Sequence, residues 1–449
     1  MQQGDQSLLA CSSSCRQTLG LHPKGGPLDL HSCYSSYDSL CSYRMVDSYG
    51  QSYRTQALCK IQRQACLAIT GAMRSTPTAA METILGLAPP HLVVEQQAMV
   101  TCFRLKLHGQ WTCAARGSHS TIERRLSTAA PICTQRSDSV APLFKFNRSF
   151  SLQIGPRDIW QAPARLFPAT ALVCYTDGSR QAGCNGAGVF IPDHHTTWFT
   201  PLGCQSTVFQ AEVFALKECA RLLLDLHMKD RIVYICSDSQ AALRAVSAVR
   251  ISSALVLECR LTLDRFAAQN ELQLVWVPGH SGVPGNERAD SLARLGSSTA
   301  FTGPEPCLPI TTQTVKTHLQ QWLRWRHTRE WRLRQDCRQG RELLSGAPSP
   351  SQIKRILRLS RVLLSDFTGV ISGHFFNKHF HRIGLVDSAT CALCGGEDET
   401  SCHILGQCPR LANIRSQLLG GFTLAPRELQ TLPVHKILQF LRDSGRMGW

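Results

Sequence analysis

The sequence predicts an α/β domain over residues 169–297. Three observations carry this: short apolar strands alternate with amphipathic helical stretches, the hydrophobic pattern changes sharply at Leu172, and acidic residues fall where elements end. Ala171–Thr176 is an apolar run that exits through Asp177, Gly178 and Ser179, as a short strand does. Gly186–Ile191 and Thr196–Leu202 read as the next two strands of a meander. Val208–His227 has the period of an amphipathic helix. Arg231–Ser237 is a β-branched strand, Ser239–Val249 a short helix and Glu271–Val277 another strand. Pro284–Leu295 reads as a helix with proline near its start, where the missing N–H costs nothing.

Composition divides the rest of the chain. Residues 1–54 are rich in Ser, Cys, Tyr and Gly without a sustained period, and are expected to be a disordered leader. Residues 55–106 read as helical with a break at Leu87–His91, and 107–168 as a linker. Residues 298–345 are expected to be a linker and then a basic Trp/Arg helix, 355–418 a helical Cys/His module, and 419–449 a tail. No run of about 20 apolar residues exists, so no membrane span is expected. The net charge of +16 is uneven: residues 171–296 carry 11 basic and 12 acidic side chains, whereas 321–361 carry 11 basic and 3 acidic. A near-neutral centre beside a basic flank points to a polyanionic partner gripped through phosphates by the flank. The 21 cysteines are odd in number and scattered, which reads as a reducing, intracellular setting with a few metal ligands rather than a disulfide scaffold.

Four acids stand out. Asp177 and Asp238 end strands, Glu212 lies in the first turns of a helix, and Asp290 lies in a helix after a Gly/Pro/His loop. Such positions converge above one edge of a sheet. Clustered carboxylates raise each other's pKa, and divalent cations relieve the repulsion. All-oxygen ligands select hard ions, Mg²⁺ or Mn²⁺, and two such ions suit in-line phosphoryl displacement. Taken singly, each acid would pass for a cap or a solvated turn residue.

The residues around these acids carry a resemblance. Tyr175–Ser179 (YTDGS), Val208–Glu212 (VFQAE), Ser237–Leu243 (SDSQAAL) and Trp276–Asp290 (WVPGHSGVPGNERAD) resemble, in this order, the four blocks of the type 1 ribonuclease H family. The resemblance implies a five-stranded mixed sheet with helices on both sides, and Mg²⁺-dependent cleavage of the RNA strand of RNA–DNA hybrids. It implies that Asp177 bridges two cations, that Glu212 and Asp238 ligate them, and that Asp290 completes the second site. His280 matches the family's mobile histidine; it stands in a flexible Gly279–Gly282 loop that can move an imidazole. Ser239 and Gln240 follow Asp238 and are placed to reach the minor groove and the ribose, whose 2′-hydroxyl separates RNA from DNA. Asn286 is a third substrate-binding candidate. Val208-Phe209-Gln210 replaces the Asn pair of the cellular enzymes and resembles the version in non-long-terminal-repeat retrotransposons.

The flanks extend this resemblance. Gln56–Gln64, Ala68–Thr78 and Leu85–Pro90 are similar to the segment between polymerase and ribonuclease H in retroelement polyproteins. No Tyr-x-Asp-Asp occurs, so the chain reads as the C-terminal part of such a polyprotein without reverse transcriptase activity. Cys391, Cys394, His403 and Cys408 have the spacing C-x2-C-x8-H-x4-C, which suits a closed tetrahedral Zn²⁺ shell, with Cys402 as a competing ligand. The surrounding residues resemble the zinc-binding tail of the same elements. Trp322, Trp325 and Trp331 with interleaved arginines could stack on unpaired bases, but a Trp pair at i, i+3 reads more readily as one buried helix face, with the arginines left to meet phosphate. The expected partners are an RNA–DNA hybrid and other retroelement proteins, with no small-molecule cofactor. A non-catalytic nucleic-acid-binding fragment held together by its zinc module is the competing reading.

Overall fold

The computed structural model describes residues 53–111, 118–161 and 167–446 of the 449. The expected leader over residues 1–54 lies outside the described residues except for its last two. The chain divides into two compact units, residues 102–319 and a second unit formed by residues 1–101 with 320–449.

Helices α1 (Tyr53–Thr70), α2 (Thr78–Leu85) and α3 (Pro90–Leu107) match the helical reading of 55–106. The break falls where expected. Gly86 ends α2 in the left-handed region at φ 67°, and Pro90 opens α3, because proline lacks the N–H that a continuing helix needs.

Residues 102–319 hold α4 (Ser118–Ala129), β1 (Ser139–Phe144), β2 (Ser151–Gln153), β3 (Leu172–Gln181), β4 (Cys184–Ile191), β5 (Thr196–Pro201), α5 (Val208–Asp225), β6 (Ile232–Ser237), α6 (Gln240–Ser247), β7 (Arg250–Ser253), α7 (Ala254–Ala267), β8 (Glu271–Trp276) and α8 (Pro284–Ser298). The main sheet runs β2-β8-β6-β3-β4-β5. Its first four strands are parallel and its last three antiparallel, so it is mixed. The period of two along β6 builds both faces. Val233 and Ile235 enter the core shared with Leu216 and Leu223 of α5 and Leu263 and Phe266 of α7, while Cys236 enters a smaller cluster with Val275, Val277 and Val283.

The five expected strands are present as β8-β6-β3-β4-β5, and Ser151–Gln153 adds a sixth, a short parallel edge strand beside β8. Residues 107–168 are not simply a linker. They supply α4, β1 and β2; Phe150 enters the main core, and buried Arg260 donates to the carbonyl of Asn147 at 2.7 Å. The stretch between α6 and β8, left unread, forms β7 and α7. Ser253 caps α7 by accepting from Val256, and Asp138 accepts from Ser253 at 2.7 Å and from the Leu255 amide at 2.9 Å. Among the described residues, a disulfide joins Cys184 at the start of β4 to Cys204 after β5, two segments already held side by side by the antiparallel pairing Gly186↔Pro201.

From residue 320 the helical unit continues through α9 (Thr312–Leu333), α10 (Arg338–Leu343), α11 (Pro350–Ile356), α12 (Arg361–Ser372), α13 (Asn377–Arg382), α14 (Ala412–Leu419), α15 (Pro426–Leu429) and α16 (Val434–Asp443). The tail expected over 419–449 is structured to residue 446. Ile437, Leu438, Phe440 and Leu441 of α16 are buried with Phe367, Ile371 and Leu405 in one core. The three tryptophans do not share a buried face. Trp331 is 2% exposed and donates to the Leu344 carbonyl, whereas Trp325 is 55% exposed. Six residues turn a helix by about 240°, so the two indoles leave α9 on different sides. Among the described residues no helix is long and apolar enough to cross a membrane.

Helix α8 crosses β4 at the backbone. A Cβ on Gly188 would meet the amide nitrogen of Ala293 at 2.5 Å and the Ala289 carbonyl at 2.6 Å. Gly188→Ala is therefore expected to lower stability by about 1–3 kcal/mol. The measurement is a urea melt, which should show a lower midpoint at an unchanged slope.

Candidate active site and metal centres

The acid cluster begins with strand register. β3 and β6 are parallel, and Thr176 pairs with Ser237, so the next residues, Asp177 and Asp238, lie side by side. Asp238 follows the end of β6, but Asp177 does not end a strand as expected, since β3 runs on to Gln181 paired with β4. Neighbouring strands lie about 4.8 Å apart, within reach of a shared ion. Glu212 comes from α5, whose start is fixed by a capping box. The Thr207 hydroxyl accepts from the Gln210 amide, and the Gln210 side chain accepts from the Thr207 amide. Gly178 lets that helix approach β3, since a Cβ there would sit 2.5 Å from the Glu212 nitrogen. Oxygens of Asp177, Glu212 and Asp238 all lie within 4.8 Å of one another.

The trio is mostly withdrawn from water. Burial, then the charges of Asp238 and Asp290, push the Asp177 carboxyl up to about 8. Burial, then Asp177 and Asp238, push Glu212 well above the carboxylate range, and its Oε2 is buried without a hydrogen-bond partner. Burial also raises Asp238, against hydrogen bonds from Asp177 and Asn286 that lower it. An orphaned carboxylate oxygen inside an all-oxygen cluster fits a hard divalent cation, which would supply the missing partner and the compensating charge.

The remaining expected residues fall in different places. Asp290 lies apart from the trio, in a second group with His280 and Glu287 whose ligand atoms are within 4.8 Å of one another. Its carboxylate pairs with Arg294 at 2.7 Å, one helical turn on. Glu287 was missed by sequence reasoning. Its position three residues before Asp290 on α8 was the available signal, since that spacing shares a helix face. His280 is exposed, with φ 51°, in the loop before α8. Ser239 caps α6 by accepting from Ala242, and Gln240 accepts from Arg244. Asn286 is corrected: at 2% exposure its amide is bonded to Asp238, so it orients an acid rather than facing a substrate. Gln210 is likewise buried and donates to the Pro309 carbonyl at 2.7 Å, so the replacement of the Asn pair serves the fold.

The second centre lies in the helical unit. Ligand atoms of Cys391, Cys394, His403 and Cys408 lie within 4.8 Å of one another. The Cys391 and Cys408 sulfurs are 4.0 Å apart, and the Cys394 sulfur is 3.3 Å from His403 Nε2. Glu397 contacts His403 Nδ1 at 3.1 Å, which turns Nε2 toward the thiols. Backbone amides of Gly396 and Glu397, with Cys391 and His403, hold the Cys394 thiol down to about 6. Cys402 is not in the set; its thiol faces Glu342 at 3.2 Å. Behind the set, buried Arg415 donates to the carbonyls of Ile404, Leu405 and Cys408. Three thiols and one oriented imidazole suit Zn²⁺.

Comparison with known proteins bears on the first centre. Residues 169–298 match the RNase H family. The domain's mixed sheet, flanked by helices, agrees with that fold. Ribonuclease H of Nitrosococcus oceani is 62% identical over 32 residues, 7% of this chain and 22% of that protein. Ribonuclease H of Methylorubrum extorquens is 51% identical over 41 residues, 9% of this chain and 18% of that protein. That of Dinoroseobacter shibae is 59% identical over 34 residues, 8% of this chain and 22% of that protein. The matches thus span about a fifth of the relatives' length. All three relatives are bacterial proteins bearing the ribonuclease H name.

The RNase H domain's acid cluster sets a pH dependence. The Asp177 carboxyl is raised in the fold from its ordinary 3.8 to about 8. Below about pH 4 the folded and unfolded chains both hold this proton. Between about 4 and 8 the unfolded chain releases it while the fold retains it, so metal-free stability falls as pH rises. Asp177→Asn is expected to stabilise the metal-free protein at pH 8 by about 1–3 kcal/mol, and to do so less at pH 5. Thermal melts in EDTA at both pH values check this.

Proposed function

We propose that residues 169–298 hydrolyse the RNA strand of RNA–DNA hybrids, leaving a 5′-phosphate and a 3′-hydroxyl, with two hard divalent cations bound to Asp177, Glu212, Asp238 and Asp290. The observation that carries the reading is the buried convergence of Asp177, Glu212 and Asp238, with one Glu212 oxygen unpartnered. Bound there, Mg²⁺ or Mn²⁺ supplies Lewis-acid activation of water and stabilisation of the departing ribose oxygen. Asp177, Glu212, Asp238 and Asp290 would supply the carboxylate oxygens that hold these ions. Asn286 fixes the Asp238 carboxylate, as does the chain fold at Trp276, whose indole N–H donates to the Asp238 carbonyl at 3.0 Å. His280, exposed on its loop, moves the proton at the reacting water or the product. Ser239 and Gln240, at the start of α6 beside Asp238, meet the hybrid's minor groove and the 2′-hydroxyl.

The wider context belongs to the same proposal. Helices α1 to α3 fall on the segment that resembles the post-polymerase region of retroelement polyproteins. The Cys391, Cys394, His403 and Cys408 set falls on the part that resembles their zinc-binding tail, and it holds a structural Zn²⁺. Both features support a retrotransposon-derived protein.

Hydrolysis of a labelled RNA–DNA hybrid in Mg²⁺ is the test. Asp238→Asn is expected to cut at least about 100-fold more slowly, and His280→Ala about 10- to 100-fold more slowly with kcat affected more than KM. Equal cutting by wild type and Asp238→Asn, or none by wild type in Mg²⁺ or Mn²⁺, rejects the hydrolytic assignment. For the second centre, metal analysis is expected to find one zinc per wild-type chain and less in Cys391→Ser, with a lower melting temperature after chelation.

A further inference from the structure

The exposed face of α9 is a second kind of surface. At about 100° per residue, Gln321, Arg324, Trp325, Thr328, Arg329 and Arg332 fall on one side of the helix. Trp325 is 55% exposed there, and the guanidinium of Arg329 lies over its ring at 5.3 Å. Among the described residues, none of Arg324, Arg329 and Arg332 is paired with a carboxylate, whereas Arg326 on the adjoining side is bound to Glu330 and Arg334 to Asp336. The helix is anchored to the fold along the edge beyond Arg324, through buried His327 and Trp331.

We propose that this face binds an unpaired nucleic-acid strand, with Trp325 stacking on a base and Arg324, Arg329 and Arg332 meeting phosphates. Charge selects the class of partner, since residues 321–361 carry 11 basic and 3 acidic side chains. The indole selects the form. Bases inside a duplex are stacked on both sides and leave no ring for Trp325, whereas an unpaired base presents one. Arg329 over Trp325 already sets a cation and an aromatic plane in the order that such stacking uses. The face runs about 17 Å from Gln321 to Arg332, the length of a few nucleotides. The RNase H domain supplies no such excess charge, because residues 171–296 carry 11 basic and 12 acidic side chains. The site does not depend on the hydrolysis proposed above.

Fluorescence anisotropy of the full chain in EDTA, with a labelled 20-nucleotide oligothymidine and a blunt duplex of equal length, tests the proposal independently of catalysis. Trp325→Ala is expected to weaken oligothymidine binding about 5- to 100-fold and to leave duplex binding within twofold, while Trp325→Phe retains most of the affinity. The combined Arg324→Gln, Arg329→Gln and Arg332→Gln variant is expected to lower the salt slope of oligothymidine binding by about 2. Circular dichroism confirms that each variant is folded. Unchanged oligothymidine affinity in Trp325→Ala overturns the proposal, as does an equal loss on duplex. Self-association of wild type that Trp325→Ala abolishes, seen by sedimentation without oligothymidine binding, assigns the face to a second copy and also overturns it.

Discussion

A parallel register between two neighbouring strands governs the chemistry of this molecule. Because Thr176 pairs with Ser237, the two aspartates that follow stand next to each other, Asp177 inside β3 and Asp238 just past the end of β6. Everything else in the RNase H domain adjusts to that pair. Helix α5 comes near enough to add Glu212 only because position 178 has no side chain, and α8 brings Asp290 into their field across the small residues of β4. The accumulated negative charge works against folding, yet it is what gives the cluster its demand for cations. Stability and chemistry are opposed at the same atoms.

The strands and acids were legible because they are local signals. Runs such as Ile232–Ser237 alternate between two buried layers, and Asp238 stands at the end of that run, whereas Asp177 lies inside β3, which continues to Gln181. The roles of Asn286 and Gln210 were not legible, because a polar side chain near a functional motif looks the same whether it turns inward or outward. Only tertiary packing decides, and here it turned both inward. Residues 139–153 escaped for a related reason. A three-residue strand has no readable period, and its place is fixed by contacts more than 100 residues away, such as Arg260 with Asn147. Helix α7 was unread and α16 was taken for tail, although both carry apolar residues at helical spacing.

The Cys/His set was readable as a spacing, but the choice of its fourth member was not. Cys402 and His403 are adjacent in sequence, and the structure separates them through their neighbours: Glu342 draws the Cys402 thiol away, and Glu397 aims the His403 ring at the sulfurs. Acidic residues thus decide the donor set without joining it. The tryptophans of α9 carry the same lesson. Identical residue types six positions apart serve different ends, one buried for packing and one left at the surface.

Arg415 shows what a single buried guanidinium does for the second centre. Its N–H groups take up the carbonyls of Ile404, Leu405 and Cys408, the stretch that lies between His403 and Cys408. That stretch is a wide π-helical turn, closed by the Cys408 amide donating to the His403 carbonyl at 2.7 Å. One half of the donor set is thereby preassembled by protein alone. An arriving ion meets part of its cage already built, and less of its binding free energy is consumed in ordering the chain around it.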